Sequence, residues 1–142
     1  MKAIYLDSNV FIYSATNTGE TGSNACRLLD SIQNNEILAV TSCLTIDEVC
    51  YAVSKISGNH NAVKLGEALL KFNNLKVADA TKETMQMALE IMKKYNALPR
   101  DAIHAATLIE NNAEAIISED KDFDRIKEIK KFTIKEFLKN IK

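Results

Sequence analysis

Four acidic residues have the type and placement to carry chemistry in this chain: Asp7, Glu48, Asp101 and Asp120. Two carboxylates 4 Å apart repel by about 1 kcal/mol in water and about 4 kcal/mol at an effective dielectric constant of 20. A cluster of them persists only where protons or cations neutralise it. Oxygen ligands select hard cations, so we expect Mg²⁺, with Mn²⁺ as the alternative. Because such a cation can orient a water molecule and stabilise a leaving oxygen, the predicted chemistry is hydrolysis of a phosphodiester.

The elements that must bring these acids together are read from the hydrophobic pattern. Apolar runs predict strands, and stripes at helical spacing predict helices between them. Alternating strands and helices are typical of a parallel sheet with helices on both faces, and ligand sites in such sheets lie outside the carboxyl ends of the strands. All four acids follow a predicted strand or begin a predicted helix. The strands are predicted at residues 2–6, 37–41, 75–78, 115–117 and 132–134, with a loop at 16–23.

Each acid also has a purely structural interpretation. Asp7 could cap the helix that follows it, and Glu48 could close a capping box with Thr45. The Asp101 carboxylate could be stabilised by the positive N-terminal end of its helix dipole, and Asp120 could be an ordinary turn residue. Those interpretations remain open for each residue taken alone. Four acids expected at one edge of one sheet are harder to explain in this way.

Length and composition define the class of protein. The 142 residues suit one domain, predicted to span residues 1–142, and 46% hydrophobic with 26% charged residues is an ordinary globular balance. No apolar run approaches the roughly 20 residues of a membrane-spanning helix, and the N-terminus does not resemble a signal peptide. The three cysteines, Cys26, Cys43 and Cys50, form no CxxC pair. We therefore expect reduced thiols in a cytoplasmic protein with no membrane partner.

Charge is distributed unevenly along the chain. The net charge of −1 argues against a broadly basic nucleic-acid binder, yet residues 121–142 hold eight Lys or Arg against four Asp or Glu. A basic end on an acidic body could guide a phosphate backbone. A solvated C-terminal face is the simpler interpretation, and from this feature alone we favour it.

Four segments resemble the PIN-domain nucleases, and within them the VapC-like toxins of type II toxin–antitoxin pairs. Residues 4–11 (IYLDSNVF) are similar to the opening strand of that family with its first Asp, and residues 41–49 to the segment that carries its Glu. Residues 98–106 (LPRDAIHAA) are similar to its central Asp motif, which is the most specific match. Residues 116–123 resemble its closing strand and fourth acid, with Ser118 where the family commonly has Thr.

The resemblance implies a three-layer α/β/α sandwich around a central parallel sheet, and Mg²⁺- or Mn²⁺-dependent cleavage of RNA. It assigns the catalytic and metal-binding roles to the four acids. It also implies weaker, substrate-orienting roles, with Asp122 as the alternative for the fourth acid. Arg100, beside Asp101, could contact a phosphate or pair with a carboxylate, and we slightly favour the pairing. The residues in these weaker roles are Asn9, Ser118, Asp122 and Arg100. The implied partners are an RNA substrate, a cognate antitoxin and a second copy of the chain in a homodimer.

Three other functions compete with this prediction. An aspartyl-phosphate phosphatase also places Asp after its first strand, but it needs an acid two residues later, where this chain has Asn9. A non-catalytic interaction module and an RNA-processing nuclease outside a toxin–antitoxin system remain as alternatives. His104 lies three residues after Asp101 on the same helix face, and we expect it to pack or to orient a neighbour rather than to catalyse.

Overall fold

Five parallel strands form one sheet in the order β3-β2-β1-β4-β5. The structure, a computed structural model, describes residues 2–141. Met1 and Lys142, the two ends of the predicted domain, lie outside the described residues, and Lys142 is also the last cation of the basic C-terminal segment. The strands are β1 (Ile4–Leu6), β2 (Ala39–Ser42), β3 (Leu75–Ala78), β4 (Ile116–Ile117) and β5 (Lys131–Phe132).

Helices connect the strands and cover both faces of the sheet. Among residues 2–141, no helix is both long and apolar enough to cross a membrane. A short 3₁₀ helix, Lys121–Arg125, follows β4. The α-helices are α1 (Ser8–Thr16), α2 (Glu20–Gln33), α3 (Cys43–Ser57), α4 (Asn59–Leu70), α5 (Lys82–Tyr95), α6 (Pro99–Glu110) and α7 (Ile134–Asn140).

Two hydrophobic cores lie on opposite faces of the sheet, because successive side chains of a strand point to opposite faces. Ile4 and Leu6 of β1 belong to the core shared with α1 to α4 and α7. Tyr5, between them, belongs to the core shared with α5 and α6. These two cores make the three-layer α/β/α sandwich that the sequence predicted.

The order of the strands reverses next to β1. The chain runs from β1 outward through β2 to β3, then returns across the sheet so that β4 pairs with β1 on its other side. Ligands in sheets of this kind bind outside the carboxyl ends of the strands at such a switch point. Asp7 and Ser118 directly follow the two strands that meet there.

The structure corrects three local predictions. Helix α2 begins at Glu20, so the loop predicted at residues 16–23 is shorter. Gly22 lies inside that helix, at a position where a Cβ would come within 1.9 Å of the Asn17 carbonyl oxygen, so only glycine fits there. The fifth strand ends at Phe132, before Thr133, which instead caps α7 through the predicted capping box. The 3₁₀ helix was not predicted.

Candidate active site

Asp7 is fixed in place by its neighbours. It is the N-cap of α1, and its Oδ1 accepts a hydrogen bond of 2.7 Å from the backbone N–H of Ser8. Its Oδ2 accepts one of 2.7 Å from the Ser118 hydroxyl. Asp7 is 5% exposed, and this burial raises the pKa of Asp7 although His104 and Ser118 oppose the change. The structural interpretation of Asp7 as a cap is therefore correct, and the cap lies within the acidic site.

Asn9 and Ser118 tie the carboxyl ends of β1 and β4 together. The Asn9 amide donates to Asp7 Oδ2 and to the Ser118 hydroxyl, each at 3.3 Å. The backbone N–H of Asp120 donates to the same hydroxyl at 3.0 Å. Both residues thus orient Asp7, and the predicted role of orienting substrate stays a prediction for them. Asn9 also stands where an aspartyl-phosphate phosphatase needs an acid, and here it is an amide that donates to Asp7.

Glu48 reaches the site from α3. The N-cap of that helix is Ser42, whose hydroxyl accepts from the backbone N–H of Leu44 at 3.0 Å. The alternative of a capping box between Thr45 and Glu48 is therefore wrong, because the helix begins earlier than that box requires. Glu48 Oε1 lies instead 2.6 Å from His104 Nε2, a contact between residues 56 positions apart in the chain.

His104 lies in the middle of the site, 1% exposed. Its Nδ1 is 2.6 Å from the Tyr5 hydroxyl, and its Nε2 is 3.7 Å from Asp7 Oδ1. Burial acts to lower the pKa of His104, but the hydrogen bond with Glu48 and the nearby negative charges outweigh it, so the pKa is raised. His104 thus makes the orienting hydrogen bond that we expected of it, here to a predicted metal ligand.

Asp101 is the least satisfied acid of the site. It is 9% exposed, in the first turn of α6, which Pro99 opens. Its Oδ2 is the one buried side-chain oxygen or nitrogen among residues 2–141 without a hydrogen-bond partner. Burial, followed by the charges of Asp120, Asp7 and Asp122, raises the pKa of Asp101 to about 6. A buried, unpaired carboxylate of this kind is unfavourable unless a proton or a cation reaches it.

Asp120 and Asp122 enter the site from the loop after β4. Asp120 caps the 3₁₀ helix, and its Oδ1 accepts from the backbone N–H of Asp122 at 2.9 Å. The Lys131 ammonium donates to the Asp120 carbonyl at 3.3 Å and pairs with Asp124 at 2.9 Å, which anchors this loop to β5. Both candidates for the fourth acid therefore lie at the site.

The acids and His104 form two groups, and within each group every residue has one oxygen or nitrogen atom within 4.8 Å of those of the others. The charge of Asp7 raises the pKa of Asp101, so the two groups influence each other electrostatically. The four predicted acids thus meet at one edge of the sheet, and either group could hold a metal ion. The first group is Asp7, Glu48 and His104, and the second is Asp101, Asp120 and Asp122.

The basic residues differ in whether they pair with an acid. Arg100 is exposed and makes no ion pair within residues 2–141, so the carboxylate pairing that we favoured is absent there, and the phosphate contact stays a prediction. Several cations of the C-terminal segment are engaged with acids: Arg125 with Asp122 at 3.7 Å, and Lys135 with Glu20 at 3.2 Å. These pairs favour the interpretation of that segment as a solvated, locally neutralised face.

Sequence reasoning missed Tyr5 and did not place His104 among the ligand-bearing side chains. A signal for Tyr5 existed, because it lies in β1, two residues before Asp7. Its side chain lies on the sheet face that α6 covers. The spacing of three residues between Asp101 and His104 was the corresponding signal on the helix.

A family model establishes the class of protein. The PIN domain model matches residues 4–129, and the chain belongs to the PIN domain family. The match includes all four predicted acids together with Tyr5, Asn9, His104 and Ser118.

Individual relatives agree with this assignment. The chain is 29% identical over 135 residues to Ribonuclease VapC2 of Methanocaldococcus jannaschii, covering 87% of this chain and 88% of that protein. Its fold is similar to that of VapC20 from Mycobacterium tuberculosis, a toxin that cleaves the sarcin–ricin loop, with a TM-score of 0.72 and 17% identity over 86% of this chain and 93% of that one. A toxin–antitoxin complex from Klebsiella pneumoniae has a TM-score of 0.67 and 18% identity over 93% of this chain and 97% of that one.

Proposed function

We propose that this chain is a metal-dependent ribonuclease that hydrolyses RNA phosphodiester bonds and serves as the toxin of a toxin–antitoxin pair. One observation carries the proposal: Asp101 Oδ2 is buried without a hydrogen-bond partner, in a group with Asp120 and Asp122. Membership in the PIN domain family and the likeness to a VapC ribonuclease support the choice of RNA.

The donor set fits a hard divalent cation. Carboxylate oxygens predominate. Burial, with smaller contributions from neighbouring acids, raises the pKa of Asp7 and of Asp101, so a bound cation would stabilise their ionised forms. We propose that Asp7, Glu48, Asp101 and Asp120 hold Mg²⁺, with Mn²⁺ as the alternative ion and Asp122 as the alternative fourth acid. When bound, the cation would supply charge stabilisation for the phosphate and a lowered pKa for the attacking water.

The residues of the chain contribute position and charge. In hydrolysis, a water molecule loses a proton as its oxygen forms a bond to phosphorus, the bond from phosphorus to the leaving oxygen breaks, and the leaving oxygen receives a proton. Ser118, Asn9 and the Ser8 N–H hold Asp7 in one orientation, so its carboxylate need not be ordered when substrate arrives. We propose that the exposed Arg100, next to Asp101 in the sequence, contacts a substrate phosphate.

Membership in the PIN domain family also leads to a proposal for the partners of the chain. We propose that residues 1–142 act as one nuclease domain in the cytoplasm, that the chain forms homodimers, and that a cognate antitoxin binds it. Large apolar side chains that are 49% to 64% exposed support a protein partner, because partner surfaces often carry exposed apolar groups. They are Tyr51, Ile56, Val63 and Leu70 on α3 and α4, Leu89 on α5, and Leu98 before α6.

Purified protein is expected to cleave single-stranded RNA in Mg²⁺ or Mn²⁺. Cleavage should cease in EDTA and should resume when the ion is added back in excess. The measurement is gel analysis of a labelled RNA, with single-stranded DNA and a simple phosphate ester as parallel substrates. Asp47→Asn is the matched control for loss of an acid, since Asp47 is exposed and next to Glu48. Cleavage that persists in EDTA would contradict metal dependence, and turnover of the phosphate ester alone would favour a phosphatase.

A further inference from the structure

Three side chains form a hydrogen-bonded row from the sheet to Glu48. Tyr5 lies on β1, His104 on α6 and Glu48 on α3, and both hydrogen bonds in the row are 2.6 Å long. Tyr5 is 0% and His104 1% exposed. The row therefore fixes one predicted metal ligand relative to two other elements of the fold. The proposed function assigns no role to Tyr5 or His104.

The contact with Glu48 determines which ring nitrogen of His104 carries a hydrogen. A carboxylate oxygen accepts hydrogen bonds, so a contact of 2.6 Å between Glu48 Oε1 and His104 Nε2 requires a hydrogen on Nε2. That hydrogen is present both in the neutral ring protonated on Nε2 and in the imidazolium. A ring nitrogen that carries a hydrogen has no lone pair for a cation. His104 is thus a donor to a ligand in this arrangement rather than a ligand itself.

Tyr5 selects this arrangement from the other side of the ring. The Tyr5 hydroxyl is buried and lies 2.6 Å from Nδ1, and a phenol carries one hydrogen that it can donate. In the neutral ring that hydrogen is donated to Nδ1, which leaves the ring hydrogen on Nε2. The ring is also held by edge-to-face packing, with centroid distances of 5.7 Å to Tyr5 and 6.2 Å to Phe123.

We propose that Tyr5 and His104 are positioning residues, which hold Glu48 Oε1 through the Nε2–H of His104 and leave Oε2 to bind the divalent cation. No residue among 2–141 donates a hydrogen bond to Oε2. This inference rests on the proposed function for the presence of the cation, and it concerns cation affinity rather than RNA cleavage. Partners that orient metal ligands in this way typically affect metal affinity 10–100-fold.

Mn²⁺ affinity, measured by calorimetry without RNA, is the first test. His104→Asn ends near the position of Nδ1 and removes the donor, so we expect about 10–100-fold weaker binding. His104→Gln carries an amide N–H near the position of Nε2 and is expected to restore most of the affinity. Tyr5→Phe keeps the ring but no longer selects the hydrogen on Nε2, and is expected to weaken binding to a smaller degree. His60→Asn and Tyr51→Phe, both at exposed positions, are the matched controls and should leave affinity unchanged.

Repeating the series in a Glu48→Gln background separates a positioning role from direct ligation. If His104 acts through Glu48, His104→Asn should have little further effect there. An equal loss in both backgrounds would identify His104 as a ligand and overturn the proposal, as would equal affinities of the His104→Asn and His104→Gln variants.

Nitrogen-15 NMR of the metal-free protein gives a second readout. The proton on His104 Nε2 should be present, should resonate strongly downfield, and should change its chemical shift in Glu48→Gln. An Nε2 without a hydrogen would contradict the proposal even if RNA is cleaved, whereas intact Mn²⁺ binding without RNA cleavage would contradict only the proposed function.

Discussion

Asp101→Asn is expected to abolish RNA cleavage while making the metal-free protein more stable at pH 7.5. The carboxylate supplies the unpartnered Oδ2 of the site, and a bound ion contributes several kcal/mol of charge stabilisation. Loss of the Asp101 carboxylate should therefore reduce the rate of RNA cleavage by about 10³-fold or more. Burial and three neighbouring acids raise the pKa of Asp101 to about 6, so its ionised form destabilises the folded chain at neutral pH. Removing that charge should add on the order of 1–2 kcal/mol to the free energy of unfolding.

Both halves of this result can be measured on one sample. Single-turnover cleavage of labelled RNA gives the rate, and thermal melting in EDTA gives the stability, each beside the exposed Asp47→Asn control. A variant that is inactive because it is unfolded would melt lower than the wild type, which is the opposite of the expected shift. Activity within tenfold of the wild type would show that Asp101 is not part of the catalytic site.

Mg²⁺ or Mn²⁺ is expected to raise the melting temperature of the wild-type protein, and to raise it more at pH 8 than at pH 5.5. Asp7 and Asp101 have raised pKa values in the folded state, so folding takes up protons between the ordinary carboxyl pKa and the raised one, and stability falls as pH rises through that window. The raised pKa of His104 acts in the same direction, because its stabilising contribution is complete below the unfolded-state value and is lost at higher pH. The metal-free protein should therefore be more stable at pH 5.5.

A cation reverses this trend because it binds the deprotonated carboxylates. At a concentration 100 times its dissociation constant, a ligand that binds only the folded state adds about 2.7 kcal/mol. Protons compete with the cation below about pH 6, the pKa of Asp101. NaCl at matched ionic strength is the control for screening by salt. Equal stabilisation at both pH values, or the same effect from NaCl, would show that the acids do not bind the ion as a group.

The placement of the acids was predictable because it depends on the order of elements rather than on detailed packing. Parallel strands present their carboxyl ends at one edge, and Asp7 and Asp120 follow strands by one to three residues. Asp101 follows Pro99, whose preference for the first turn of a helix places the acid in that turn. The fold class and the meeting of the four acids follow from such local signals.

Contacts between distant residues were not predictable in the same way. The hydrogen bond between Glu48 and His104 depends on how α3 and α6 pack at the sheet edge, and no local pattern encodes that geometry. The choice between Asp120 and Asp122 also stays open, because the 3₁₀ turn brings both carboxylates to the site. Gly22 misled the loop prediction, because glycine there serves the close approach to Asn17 rather than a turn.

A crystal of the wild-type protein soaked in Mn²⁺, with data collected at the manganese absorption edge, tests most directly whether these acids share a divalent ion. The account predicts an anomalous peak within about 2.5 Å of carboxylate oxygens of both Asp7 and Asp101. No peak at the site in millimolar Mn²⁺, or a peak bound only by acids elsewhere on the surface, would contradict it.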